Sequence, residues 1–412
     1  MIVGKGAHGG RIVKRRRRRQ SKHRKGHVRS YMMLLLMLGS YVLGFKLMAR
    51  YFDSGIHRDG DIPSSLTISH TSSYESPLII FTCERASYLQ TTLSDIFKYI
   101  PRPCTFGCPI IVSQDGENSD VDNVVNEFQQ KFASIGIPLF HIHHKQALKS
   151  AGGAYQALAK HYGWALSQVF DGRINAELPM PKRIIILEED LHIAPDFFGY
   201  MAATSKILDK DSSLFAVSAF NDNGHLVNNP KRTLRSDFFP GLGWMMKRSL
   251  WKNELEAKWP KGYWDDWLRE PAQRKGRQIV RPEFSRTYHF GFHGGASKNQ
   301  FGSILRRVRL CEEFVDWAKE DLSYLEERTY ERLYSSLLDH SVHALSIKEA
   351  RRALKSNENV VLEYTDFDEF KVLARKLDIM DDEKATIPRT AYKGIVEVRP
   401  FEGSLLFLRP SI

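Results

Sequence analysis

Cysteine is scarce in this chain, with four among 412 residues (Cys83, Cys104, Cys108 and Cys311). That excludes a small fold stapled by many disulfides, while one or two bridges stay compatible with an oxidising compartment. Cys104 and Cys108 have no second ligand pair in register with them, which speaks against a zinc site there. No Asn-x-Ser/Thr sequon occurs, so glycosylation gives no marker of a secretory route. A Gly-x-x-x-x-Gly-Lys-Ser/Thr loop is also missing, and a P-loop nucleotidase is not supported. There is no internal repeat and no low-complexity run beyond a string of arginines.

Acidic residues are absent from residues 1–30, which hold twelve Lys and Arg, Arg15 to Arg19 among them. The formal charge of +12 is therefore that of the tail, because from residue 31 onward 48 basic residues face 48 acids. A basic nucleic-acid-binding face on the folded part loses its support, and no nucleic-acid partner is expected. Met32 to Phe45 is uncharged, and the apolar character continues past Lys46 to Ala49. This is shorter than the roughly 20 residues of a typical span, but Lys46 near the far end can snorkel. The expectation is a basic cytoplasmic tail (1–30), an uncleaved signal-anchor helix (31–50) and a polar stem (51–76). The remainder would lie in a lumen or outside the cell.

From Pro77 the texture changes. "PLIIFTC" (77–83), "CPIIVSQD" (108–115), "PLFHIHH" (138–144), "RIIILEED" (183–190) and "LFAVSAFND" (214–222) read as strands. Helical patterns fall between most of them, near 87–100, 121–135, 151–170 and 196–210. This alternation predicts an α/β fold with a largely parallel sheet covered on both faces. Ligands in such sheets bind beyond the carboxyl ends of the strands. Arg85, Asp115 and the acids Glu188, Glu189 and Asp190 fall at three such ends. Beyond 222 the chain is rich in Trp and Gly, and two C-terminal stretches, "VVLEYTDF" and "GIVEVRPFEGSLLFLRP", suggest a small hairpin or sheet.

Strand alternation would put Glu188 and Asp190 on one face and Glu189 on the other. Hard oxygen donors at a strand end suit Mg²⁺ or Mn²⁺ together with substrate phosphates. The plainer reading is that these acids precede a helix capped by Asp196 and favour its dipole. "WDDW" (264–267) is either a pair of first-turn acids or a carboxylate in an aromatic-walled cleft suited to sugar rings and general-base work. His161 lies on an amphipathic helix beside its apolar stripe, where a packing role is the ordinary one. "HIHH" (141–144) lacks a carboxylate or Cys spaced in sequence to complete a zinc site, and is discounted.

Several blocks carry a resemblance. "FTCERASYL", "IVSQDG", "KHYGWALSQVF", "ILEEDLHIAPDFF", "SAFNDNG", "DFFPGLGWMM" and the long "KWPKGYWDDWLREP…RPEFSRT" stretch occur in an order and spacing similar to the N-acetylglucosaminyltransferase I family, glycosyltransferase family 13. The similarity runs from about Pro77 to the C-terminus. It implies a GT-A type, Rossmann-like nucleotide-sugar domain over 77–310, then a C-terminal helical region and small annex domain over 311–412. It also implies a Golgi type II membrane protein with a lumenal catalytic domain.

Residue by residue, the resemblance implies that Arg85, Asp115 and His161 contact UDP-GlcNAc and that Asp190 is the protein ligand of Mn²⁺. Glu189 stands where the family usually has a nucleoside-contacting Asp. Asp265 corresponds to the proposed catalytic base, and Ser297 to a donor-contacting residue of a loop. Gly116 follows Asp115 where family members often carry Cys. The implied reaction is an inverting transfer of GlcNAc to the 2-hydroxyl of the α-1,3-linked mannose of an N-glycan on a glycoprotein. It needs one base and no enzyme nucleophile, unlike the two-carboxylate glycosidases. The rival readings are a transferase acting on protein O-linked mannose, and an inactive lectin-like module on the same fold.

Overall fold

The computed structural model describes residues 74–145, 153–291, 302–401 and 403–411. The basic tail, the expected anchor, nearly all of the stem, and Ser297 lie outside the described residues. Among the described residues no helix is long and apolar enough to cross a membrane.

The first half alternates as the hydrophobic pattern requires. The elements are β1 (Pro77–Thr82), α1 (Ala86–Tyr99), β2 (Gly107–Asp115), α2 (Ser119–Ala133), β3 (Leu139–His144), α3 (Ala154–Phe170) and β4 (Arg183–Glu188). There follow β5 (Leu191–Ile193), α4 (Phe197–Lys210), β6 (Leu214–Ser218), β7 (Thr233–Ser236), β8 (Trp244–Lys247), the short helix α5 (Trp264–Arg269), β9 (Gln278–Pro282) and β10 (Thr287–His289). Eight strands form one sheet in the order β3-β2-β1-β4-β8-β6-β9-β7. The pairs β3-β2, β2-β1 and β1-β4 are parallel, and β8 enters antiparallel between β4 and β6. The sheet is thus largely parallel at the end that matters for ligands, and mixed at the other.

Strand β1 explains why it is central. Leu78 and Ile80 join the core on the side of α1, α2 and α4, whereas Ile79 and Phe81 join the core on the side of α3 and the tryptophans. All four are buried. A strand with two apolar faces is stable only between two layers, and each such side chain contributes about 1.5–3 kcal/mol on burial. Helix α2 starts at Asn118, whose side chain accepts hydrogen bonds from the Asp120 and Val121 N–H groups.

Asp196 differs from its expected role. It precedes α4 but makes no side-chain cap. Its carboxylate is fully buried against Arg286 at 3.0 Å, and Trp317 Nε1 donates to it at 2.7 Å. A charge-assisted pair available inside the core outcompetes a helix cap here.

The C-terminal part contains α6 (Glu327–Asp339), β11 (Val342–Ala344), α7 (Ile347–Lys355), β12 (Val360–Tyr364), α8 (Phe367–Leu377), the two-residue strands β13 (Glu383–Lys384) and β14 (Ile387–Pro388), β15 (Val396–Phe401) and β16 (Ser404–Pro410). Its four-stranded sheet, β11-β12-β16-β15, has its own apolar core. The expected hairpin is present as β15-β16, and β11 and β12 extend it by parallel pairing. Cys104 and Cys108 form a disulfide, while Cys83 and Cys311 are free thiols.

Candidate active site

The carboxyl ends of β1, β2, β3 and β4 deliver Arg85, Asp115, His144 and the acidic trio to one edge of the sheet. Strand β4 ends at Glu188, and the chain turns at Glu189 and Asp190. The turn overrides the alternation expected of a strand. Arg85 bridges the last two acids, with Nε 2.5 Å from Glu189 and Nη2 2.8 Å from Asp190. Glu188 leaves in another direction and accepts a hydrogen bond from the Tyr162 hydroxyl at 2.7 Å.

Each acid has a distinct environment. Glu189 is engaged by the protein itself, accepting from the Thr82 hydroxyl, the Cys83 N–H at 3.2 Å and Arg85. Burial nonetheless pushes its carboxyl above the ordinary range. For Glu188, burial and the neighbouring Asp190 charge push the pKa up to about 7. Burial also acts on Asp190, but His289 and Arg85 outweigh it and hold that carboxyl below the usual range. His289 Nε2 lies 3.4 Å from Asp190, placed there by the β5-β10 ribbon, in which His289 pairs with Leu191.

Asp190 is the acid open to an outside cation. Its Oδ1 is buried and has no hydrogen-bond partner among the described residues. A Cβ at position 291 would overlap the Asp190 carboxylate, so Gly291 leaves space that any other residue would fill. An orphaned, ionised carboxylate oxygen in a buried setting is costly unless something positive meets it. Hard oxygen donation of this kind fits Mn²⁺ or Mg²⁺ held by a single protein carboxylate with phosphates completing the shell.

The neighbouring strands bring further groups together. His144 donates from Nδ1 to Asp115 at 2.7 Å, and its ring lies parallel to His161, with centroids 5.5 Å apart. His161 is 2% exposed and shares a 2.8 Å hydrogen bond with the Ser113 hydroxyl. Burial pushes its pKa down to about 3, so the ring is neutral. His161 is thus both a packing residue and part of the polar wall beside Asp115.

Asp265 reaches this region through aromatic stacking. The Tyr162 ring lies on Phe81 at the end of β1 (centroids 3.7 Å apart) and on Trp264 (4.3 Å). One residue on, Asp265 opens the first turn of α5 with its side chain 37% exposed. Arg269 lies 3.0 Å from Asp265 and 2.8 Å from Asp266. Lys384 of the annex takes Asp266 at 3.4 Å. The two acids of "WDDW" are therefore first-turn acids beside an aromatic stack, Asp266 tied on both sides and Asp265 by Arg269.

Tyr162, Thr82, His289 and Gly291 were not singled out by sequence reasoning, and His144 only as part of the discounted "HIHH" run. Tyr162 and His289 sit inside the "KHYGW" and "SRTYHFG" blocks, which was the available signal. The discounted "HIHH" run gains a carboxylate from elsewhere in the fold. Asp122 on α2 brings a ligand atom within 4.8 Å of those of His141 and His143.

The chain matches the GNT-I family over residues 62–412. The chain belongs to the GNT-I family. An Arabidopsis thaliana alpha-1,3-mannosyl-glycoprotein 2-beta-N-acetylglucosaminyltransferase is 38% identical over 78% of this chain and 71% of its own length. Among solved structures, a Pyrobaculum calidifontis mannosyltransferase with GDP-Man and Mn²⁺ is 13% identical, covering 79% of this chain and 89% of its own at a TM-score of 0.34. A Mycobacterium tuberculosis glucosyl-3-phosphoglycerate synthase with Mn²⁺, UDP and phosphoglyceric acid is 13% identical. It covers 62% of this chain and 86% of its own at a TM-score of 0.35. These two likenesses are too slight to bear on function. Membership of the GNT-I family rests on the sequence match, and the strand-tip geometry stands beside it.

Proposed function

We propose that this GNT-I family member transfers GlcNAc from UDP-GlcNAc to the 2-hydroxyl of an α-1,3-linked mannose on N-glycans of glycoproteins, with Mn²⁺ as cofactor. The observation that carries the reading is the Asp190 carboxylate with its orphaned Oδ1, at the parallel strand ends and within one aromatic stack of Asp265.

Asp190 would hold Mn²⁺, which when bound supplies Lewis-acid neutralisation of the leaving diphosphate. Arg85, at the mouth of the site, is placed to meet phosphate oxygens with a planar fork of donors. Asp115 and the neutral His161 supply a polar wall for the nucleoside. Glu189 acts through Arg85 and the β1 end, fixing both by its three contacts. Asp265 takes the proton from the mannose 2-hydroxyl as that oxygen bonds to the anomeric carbon. The bond from the same carbon to the UDP oxygen breaks on the opposite face, so an α-linked donor gives a β-linked product. Arg269, 3.0 Å away, aims the Asp265 carboxylate. Ser297 is assigned to the donor side by the family resemblance alone.

The reading extends to topology, with the basic tail in the cytoplasm, residues 31–50 in the Golgi membrane and the catalytic part in the lumen. Protease protection of residues 77–412 in sealed Golgi vesicles, lost on detergent addition, is the expected outcome. The acceptor is tested by offering the purified protein UDP-GlcNAc, Mn²⁺ and either a five-mannose N-glycan or an O-mannosyl peptide. Transfer to the N-glycan alone supports the reading. Transfer to the O-mannosyl peptide alone overturns the acceptor assignment, and transfer to neither overturns the activity.

A further inference from the structure

The edge of the main sheet carries a second set of ligand-type side chains, on the face away from the donor wall. The β2-β3 register sets Val112 opposite His141 and Gln114 opposite His143, while Ser113 and Asp115 face Ile142 and His144. Because side chains alternate, His141, His143 and Gln114 project to the α2 side, and Asp115 and His144 to the α3 side. Asp122, in the first turn of α2, reaches over the pair of imidazoles. Ligand atoms of Asp122, His141 and His143 all lie within 4.8 Å of one another, with Asp122 Oδ1 4.0 Å from His143 Nε2. The buried Gln114 amide sits among them, 2.8 Å from His141 Nε2 and, with its NH₂ turned inward, 3.0 Å from Asp122 Oδ1.

An amide bridging a histidine and an aspartate is a sufficient reason for this cluster in the absence of metal. Three further features point past it. Two imidazoles and a carboxylate bind first-row divalent ions in an affinity order that places Zn²⁺ well above Mn²⁺. Ligand bonds of about 2.0–2.1 Å in a tetrahedron need donors about 3.3 Å apart, and the present donor atoms already lie within 4.8 Å of one another. Asp122 and His143 are 40% and 36% exposed at the side chain, leaving an entry path from solvent.

We propose that Asp122, His141 and His143, with the Gln114 amide oxygen as a fourth donor, form a second divalent-cation site that takes Zn²⁺ in preference to Mn²⁺. On binding, the Gln114 amide turns over to present its oxygen. The ion clamps α2 to the edge strand β3. It also fixes the strand ends that carry Asp115 and His144 on the other face.

The test uses the full-length protein stripped of metal. Zn²⁺ affinity is measured by competition with a chromogenic chelator, and Co²⁺ is added as a spectroscopic probe. One Zn²⁺ is expected per chain, with visible Co²⁺ bands of a four-coordinate nitrogen–oxygen site and a rise in Tm on adding Zn²⁺. Asp190→Ala should leave all three intact. His143→Gln, at an exposed position that tolerates change, should weaken Zn²⁺ at least about tenfold, and His141→Ala/His143→Ala at least about 100-fold. Zn²⁺ binding no tighter than Mn²⁺ overturns the proposal, as does unchanged affinity in His143→Gln. Loss of Zn²⁺ in Asp190→Ala with retention in His143→Gln would move the ion to the carboxylate site and equally overturn it.

Discussion

Two regions of this molecule bury carboxylates, and they do so in opposite ways. At the junction between the main sheet and the annex, Glu283 accepts from Arg399 at 3.0 Å, Arg232 at 3.3 Å and the N–H groups of Asn228 and Asn229. Glu397 pairs with the same Arg232, and Asp222 with Arg389 at 2.7 Å. Guanidinium groups there are as plentiful as acids, so the charges balance within the protein even though Asp222 Oδ2 and Glu397 Oε2, like Asp190 Oδ1, lack a hydrogen-bond partner among the described residues. At the strand tips Glu188, Glu189 and Asp190 share Arg85 and His289, and one oxygen of Asp190 is left over. Buried acids with matched partners read as architecture, whereas a local deficit of positive charge marks a place that an external cation completes.

That contrast is broken most sharply by removing its key residue. Asp190→Ala should reduce transfer by about three orders of magnitude or more, in line with losing a main source of charge stabilisation, while leaving Tm close to wild type. Asp265→Asn should lower kcat by about 10²–10⁴ and leave donor affinity unchanged. A fall in donor affinity that matches the fall in kcat would reassign Asp265 to binding. At the junction the sign pattern reverses. Glu283→Gln takes the carboxylate from Arg399 and leaves Arg232 with Glu397, and should destabilise the fold by about 3 kcal/mol, read as a lower urea midpoint, with the surviving folded protein active.

Glu188 gives a pH test. Its folded pKa, about 7, lies above that of an unfolded glutamate. The folded state therefore binds more protons than the unfolded state between pH 4.5 and 7, and this group lowers stability as pH rises through that window. In chelator-treated protein, Glu188→Gln should flatten the decline and raise Tm at pH 8 by roughly 2–4 °C. A steeper decline would contradict the environment assigned to it. The smallest effect is expected for Glu189→Asp. Shortening the side chain loosens its hold on Thr82 and Cys83, and about 1 kcal/mol would appear as a roughly fivefold rise in KM for the donor.

Much of the main sheet was legible because its strands are apolar on both faces and its helices are amphipathic. The strands at 77–82, 107–115 and 139–144 and the helices at 86–99, 119–133 and 197–210 fall within a few residues of their expected places. Parallel strand ends also located Arg85, Asp115 and Asp190 correctly as neighbours of one edge. What failed depends on contacts distant in sequence. Asp196 left its helix for Arg286, ninety residues away along the chain. Strand alternation puts Glu189 opposite Glu188 and Asp190, but the chain bends right after Glu188, and Glu189 is held by Thr82, Cys83 and Arg85. The "HIHH" run has no carboxylate near it in sequence, and α2 brings Asp122 to it by folding over the strand. Periodicity reports burial of a face, but it does not report which distant charge meets which.

In the reading proposed above, Asp190 is the residue through which the strand-tip acids accept an external cation together with the nucleotide diphosphate. Calorimetric titration of UDP into the protein, with and without Mn²⁺, tests it most directly. UDP binding should depend on Mn²⁺ in the wild type and in Asp265→Asn, and that dependence should be abolished in Asp190→Ala. Mn²⁺-dependent UDP binding of wild-type strength in Asp190→Ala would contradict it.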